Sequence, residues 1–164
     1  EEGIDVGVRI GELPDSSMRA LRVGSVRMVL CASPAYLKRH GTPRTPQELV
    51  EHSAIASSAG SGAIHWRFNA GEGVRPVRLR PRLTVTTNDA AIEAAVREFG
   101  ITRLLSYQVA PLLAARKLKL VLEKFEPPPW PIHIVHREGR FASAKVRAFV
   151  DLMAQRLRAD PALR

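Results

Sequence analysis

The sequence predicts an α/β domain. Segments that alternate apolar and polar residues with the period of a strand are interleaved along the chain with well-punctuated helical segments. The 164 residues are 45% hydrophobic and 25% charged, enough to bury a core without metal or disulfides. No apolar run approaches the roughly 20 residues of a membrane span, and no signal-peptide pattern opens the chain. The expectation is a cytoplasmic protein with no membrane partner.

The opening Ile4-Asp5-Val6-Gly7-Val8-Arg9-Ile10 alternates as a strand, and Gly11 with the cluster Pro14-Asp15-Ser16-Ser17 ends it. Only Glu1-Glu2-Gly3 precedes it, with no initiator Met, so the chain is expected to enter in the middle of a domain. Residues 26–32 form the second expected strand. Ser33 then offers an N-cap, Pro34 suits the first helical position and Gly41 stops the helix. A short helix follows at Thr45-Pro46-Gln47-Glu48, a capping box. Residues 56–63 are expected as a loop, including Gly60-Ser61-Gly62, which leads to Ile64–Phe68 and then to a turn at Asn69–Gly73.

From Val77 to Thr86 the alternation is clean, with Val77, Leu79, Pro81, Leu83 and Val85 on one face and Arg78, Arg80, Arg82, Thr84 and Thr86 on the other. Such an arginine row is usually a solvated face. Pro76 and Pro81 favour an edge. Thr87-Asn88 caps a helix whose expected inward stripe is Ile92, Val96 and Phe99, closed by Gly100. Ile101–Leu105 reads as a strand, and Ser106 begins a short helix in which Pro111 belongs near the first turn. Strands are expected around Leu118–Leu122 and Ile132–His136. The final helix caps at Ser143 and carries Val146, Phe149, Val150, Met153 and Leu157 on one stripe.

The chemistry-bearing residues exclude more than they assign. Cys31, the single cysteine, lies in the apolar run Met28–Ala32 and reads as a buried small hydrophobe. The net charge of +9 is spread evenly along the chain, and the aromatic interleaving of single-strand nucleic-acid binders is missing. There is no GxSxG elbow, P-loop, HExxH or dinucleotide fingerprint. His133 and His136, three apart on a strand, face opposite ways, so no metal is expected. No enzyme and no cofactor are expected.

Ligand chemistry has better-placed candidates. In open α/β sheets ligands settle beyond the carboxyl ends of strands, near helix N-termini whose free N–H groups favour anions. Such places follow Ile10 at Gly11, precede the first helix at Ser33, open the main helix at Thr87, Asn88 and Asp89, and fall at Leu105-Ser106. Arg9 or Arg103 could add charge-assisted hydrogen bonds. Each of Ser33, Asn88 and Ser106 serves equally well as a helix cap alone.

Specific residues carry a resemblance. Glu2-Gly3-Ile4-Asp5-Val6-Gly7-Val8-Arg9-Ile10-Gly11-Glu12-Leu13 resembles the effector-binding domain of LysR-type transcriptional regulators. So do Ala32-Ser33-Pro34-Ala35-Tyr36-Leu37, Asn88-Asp89-Ala90-Ala91, Leu104-Leu105-Ser106-Tyr107 and Ser143–Asp151, in order and spacing. The family often has Gly where Glu98 stands and Pro where Ser106 stands.

The resemblance implies a fold like type 2 periplasmic binding proteins, two lobes joined by two crossing strands with a ligand cleft between. Residues 1–27 and 136–164 would form an incomplete first lobe lacking its opening strand-helix-strand, and residues 28–135 the second. The crossings would fall near Arg27–Leu30 and Ile134–Arg137. The implied function is sensing of a small, anionic effector by a homo-oligomeric regulator, a dimer or tetramer when intact. It would touch promoter DNA only through an absent amino-terminal winged helix-turn-helix. The competing reading is a solute-binding protein of transport with the same fold.

Overall fold

The computed structural model describes residues 6–13, 18–57, 64–69, 71, 73–137 and 144–163. The expected turn at Pro14–Ser17, the Gly60-Ser61-Gly62 loop and the Ser143 cap lie outside the described residues. Two compact units emerge, one of Glu1–Val26 with Pro129–Arg164 and one of Arg27–Pro128.

The first unit is built on an antiparallel sheet. Strands β1 (Val6–Ile10) and β2 (Met18–Val26) flank β10 (Trp130–Arg137), numbered in chain order. β1 meets β10 from Val6 opposite His136 to Ile10 opposite Ile132. β2 meets its other side, with a bulge where Ile132 faces Gly24 and His133 faces Arg22. β2 is longer than the sequence suggests: the second strand, expected at 26–32, is two strands broken at Arg27. Arg19, Arg22, Gly24 and Ser25 spoil its local alternation, and pairing with β10 overrides that weak pattern. Residues 130–135, expected with the second lobe, pair inside this sheet because β10 is one continuous strand. Helix α4 (Ala144–Ala159) packs on β2 through buried Val150 and Ala154, while Phe149, expected on that stripe, is 50% exposed. Gly24 permits the closing turn Pro161–Leu163, since a Cβ there would stand 2.4 Å from the Leu163 carbonyl oxygen.

The second unit holds a five-stranded sheet in the order β7-β4-β8-β3-β9. These strands are β3 (Met28–Ala32), β4 (Ala54–Ser57), β7 (Leu83–Val85), β8 (Ile101–Leu105) and β9 (Lys119–Val121). β4 runs parallel to β7 and β8, and β3 runs antiparallel to β8 and β9. Alternation along β3 divides two apolar layers. Leu30 and Ala32 join Tyr36, Trp66, Phe68 and Leu79, whereas Val29 and Cys31 join Ala91, Ala95, Leu104 and Val109. The first layer lies under α1 (Pro34–His40) and the hairpin of β5 (Ile64–Asn69) and β6 (Val74–Leu79). The second lies under α2 (Asn88–Val96) and α3 (Ser106–Ala114).

Several expectations are corrected here. Ala56 and Ser57, expected to open a loop, instead end the core strand Ala54–Ser57, whose small residues hide a strand that parallel neighbours bury. The run Val77–Thr86 is two strands in different sheets, parted at Arg80–Arg82, although its arginines do point outward. The capping box at Thr45 is half formed: Thr45 Oγ1 and the Arg44 N–H both donate to Glu48, but the Thr45 hydroxyl caps no backbone N–H, and Pro46–Glu51 is a 3-10 turn. On α2 the fully buried residues are Ala91, Ala94 and Ala95; Ile92 and Val96 pack half-buried against the same cluster, as expected, but Phe99 is 54% exposed. Small side chains let that helix approach the sheet closely. Pro111 sits in the second turn of α3, where the N–H it lacks would have bonded Tyr107, an exposed residue whose carbonyl water can serve. No described helix is long and apolar enough to cross a membrane.

Candidate functional site

Strand direction sorts the candidates. β4, β7, β8 and β9 point the same way, so their carboxyl ends share one edge of the sheet with the amino end of β3. That edge gathers Ser57, Thr87, Asn88, Leu105 and Ser106. Ser33 follows the carboxyl end of β3, which runs the other way, so it lies at the opposite edge and leaves the candidate set. There its buried Oγ accepts the Tyr36 N–H at 3.2 Å and simply caps α1.

At the shared edge, Thr87 has extended backbone and its Oγ1 accepts the Ala90 N–H at 3.2 Å. The Ser57 hydroxyl donates to Asn88 Oδ1 at 2.6 Å, tying the end of β4 to the start of α2. Asp89 is exposed in the first turn. Among the described residues the N–H groups of Asn88 and Asp89 take no bond, which leaves two donors at the positive end of the helix. The Leu105 N–H is occupied by Gln108 Oε1 at 3.1 Å.

Ser106 is held to Arg27 from both sides. Its Oγ accepts the Arg27 N–H at 3.1 Å and its own N–H donates to the Arg27 carbonyl at 2.9 Å. The Arg27 guanidinium reaches Glu126 Oε2 at 2.9 Å, next to where the chain leaves this unit. Burial raises the Glu126 pKa and the Arg27 charge opposes that rise; Glu126 Oε1 is buried without a partner. Sequence reasoning missed both residues, and no local pattern joins groups 99 positions apart.

Arg103 stands two residues inside the edge, on the face beneath the β5–β6 hairpin. Its Nη2 donates to the Arg67 carbonyl at 3.0 Å and its guanidinium carbon lies 5.8 Å from the Phe68 ring centre. Its Nε is buried with no hydrogen-bond partner, and no described carboxylate pairs with it. Burial pulls its pKa below the usual guanidinium value.

The remaining candidates belong to the first unit. Arg9 faces His133 across β1 and β10, Ile10 is 39% exposed, and Gly11, at a φ of +109°, donates its N–H to the Pro131 carbonyl at 2.9 Å. Among the described residues no group of His, Cys, Asp or Glu gathers into a metal site.

Comparison with known proteins adds the wider context. The family model described as the LysR substrate binding domain matches residues 1–158. An HTH-type transcriptional regulator of Xanthomonas campestris pv. campestris is 35% identical over 95% of this chain and 46% of its own length. The HTH-type transcriptional regulator PgrR of Escherichia coli K12 is 32% identical over 92% of this chain and 51% of its own. The regulatory domain of CrgA, a LysR-type transcriptional regulator from Neisseria meningitidis, superposes with a TM-score of 0.78 at 27% identity, covering 94% of this chain and 76% of that one. The chain spans about half the length of the curated relatives it matches. These relatives are transcription regulators and not solute-binding proteins of transport.

Proposed function

The chain belongs to the LysR substrate-binding-domain family, the effector-binding part of LysR-type transcription regulators, and from that premise we propose that it senses a small anionic molecule at the carboxyl edge of the second unit's sheet. The observation that carries this reading is Arg103. A guanidinium whose Nε is buried with neither a hydrogen-bond partner nor a carboxylate is a costly arrangement unless an anion completes it. The free donors of Asn88 and Asp89 open on the same edge and favour the same charge. The two compact units stand for the two lobes of such a domain, with Arg27, Ser106 and Glu126 fastening the second unit where the chain enters and leaves it.

Effector binding at this edge biases the conformation of the whole regulator, with a coupling typically of about 1–3 kcal/mol. The chain itself performs no catalysis. Its place is the cytoplasm, its oligomer is a dimer or tetramer of the intact regulator, and DNA contact falls to the helix-turn-helix part of such proteins.

Thermal unfolding against a panel of small carboxylates, sulfate and inorganic phosphate tests the assignment. A ligand present at a hundredfold excess over its Kd adds about 2.7 kcal/mol of stability. At least one anion is expected to raise the Tm of the parent, and Arg103→Gln should abolish that response while leaving the unliganded Tm unchanged or higher. A panel in which no response depends on Arg103 overturns the reading.

A further inference from the structure

A depression of about 470 Å³ opens at the opposite edge of the second unit's sheet, where β4 and β8 begin and where α1 and α2 end. Its floor is Tyr36, buried and fixed: the phenol oxygen accepts the Ser53 N–H at 3.0 Å and shares a hydrogen bond with His52 Nδ1 at 3.2 Å. The Tyr36 ring stacks on His40, centres 4.6 Å apart. Phe99 supplies a second aromatic surface, turned out to solvent at the rim.

The backbone fixes where Phe99 stands. α2 ends with the Phe99 N–H on the Ala94 carbonyl and the Glu98 N–H on the Ala95 carbonyl, a closure whose left-handed position is normally glycine. Here Glu98 takes it, at a φ of +68°. Its carboxylate then reaches Arg39 at 2.9 Å across the depression's wall. Arg97 is held by Glu93. Arg82 lines the same depression with its backbone N–H on the Ala54 carbonyl, and its guanidinium has no partner among the described residues. Of the three guanidiniums that line the depression, Arg39 and Arg97 are thus paired and Arg82 is not.

We propose that this depression is a second ligand site, which takes a small aromatic carboxylate. The carboxylate meets the planar fork of Arg82, whose geometry matches it in a bidentate pair. The ring lies against Phe99 and the exposed His40 ring that stacks on buried Tyr36, where flat aromatic surfaces favour offset or edge contacts. The volume falls in the range of sites for small organic ligands, roughly 300–1,000 Å³. The site shares no residue with the Arg103 edge and does not depend on the reading given to that edge.

Amide NMR shifts of the 164-residue chain, titrated with benzoate, test the proposal; acetate, cyclohexanecarboxylate and inorganic phosphate serve as comparators. Benzoate is expected to give saturable shifts at Ser53, Glu98, Phe99 and Gly100, and the three comparators weaker ones. Arg82→Gln should weaken benzoate at least about tenfold, and Phe99→Leu should weaken it as well. Both side chains are exposed, so the unperturbed remainder of each spectrum certifies the fold. Arg103→Gln should leave these shifts intact. Shifts at these four residues that are absent or fail to saturate overturn the proposal, whereas shifts at the Arg103 edge report only on that other site. So does phosphate or acetate binding as tightly as benzoate, or an Arg82→Gln chain that binds like the parent.

Discussion

Cys31 is fully buried in β3, and burial alone pushes its thiol up to about 12. The unfolded chain releases that proton near the ordinary value of 9.0, the folded chain only near 12. The folded state therefore binds more protons in between, and stability is full below 9 and lost as pH rises toward 12, at about 1.4 kcal/mol per unit. Urea midpoints at pH 8 and pH 10.5, compared between the parent and Cys31→Ala, should show the parent losing about 2 kcal/mol more. Equal losses would mean the thiolate is tolerated inside. The bland reading of this residue was legible because its neighbours are apolar. Gly100 was legible as a helix stop, but its stricter reason was not: a Cβ there would meet the Ser53 carbonyl oxygen at 2.1 Å, a contact set by the residue just before β4, far earlier in the chain. Ser33 shows the same limit. Its cap follows from local chemistry, whereas the edge it occupies depends on the direction of β3, which only the pairing with β8 and β9 decides.

At the level of elements, caps and breakers were read better than faces. Thr87 caps α2 as its residue type requires, and Ile92 and Val96 of the expected stripe pack half-buried against the core, yet Phe99 leaves it and Ala91, Ala94 and Ala95 fill the centre of the contact. Hydrophobic size misled there, because the sheet lies close enough to demand alanines. Ala95→Leu should therefore cost about 1–3 kcal/mol through overpacking, while Phe99→Ala should cost less than about 1 kcal/mol, as surface changes do. Chemical denaturation ranks the two, and the reverse order would restore the larger stripe to the interior. β2 escaped notice for a related reason. Its arginines and glycine obscure the period of two, and only β10, more than a hundred residues away, makes it a strand.

On the scale of the whole molecule, the second unit is one continuous stretch, and both large buried clusters among the described residues belong to it. A chain of residues 27–128 alone should keep its far-UV circular dichroism and unfold cooperatively in urea, with a slope of about 1–2 kcal/mol per molar. A gradual, slopeless loss of signal would show that the cores need the rest of the chain. The first unit has no such independence, since β10 lies between β1 and β2 in its sheet and comes last of the three in the chain.

That strand order has a consequence during synthesis. A ribosome adding roughly 5–20 residues per second needs on the order of 5–20 s to pass from β2 to β10. Throughout that interval β1 and β2 exist without the partner that satisfies them, while the second unit completes itself. Bare strands of this kind recruit other chains through their open backbone, and charged side chains are the usual guard. Arg9, Arg19 and Arg22 are placed on these two strands and stay exposed after folding. The residues that blur β2 to a reader of the sequence are thus suited to keeping the nascent segment single until its partner arrives.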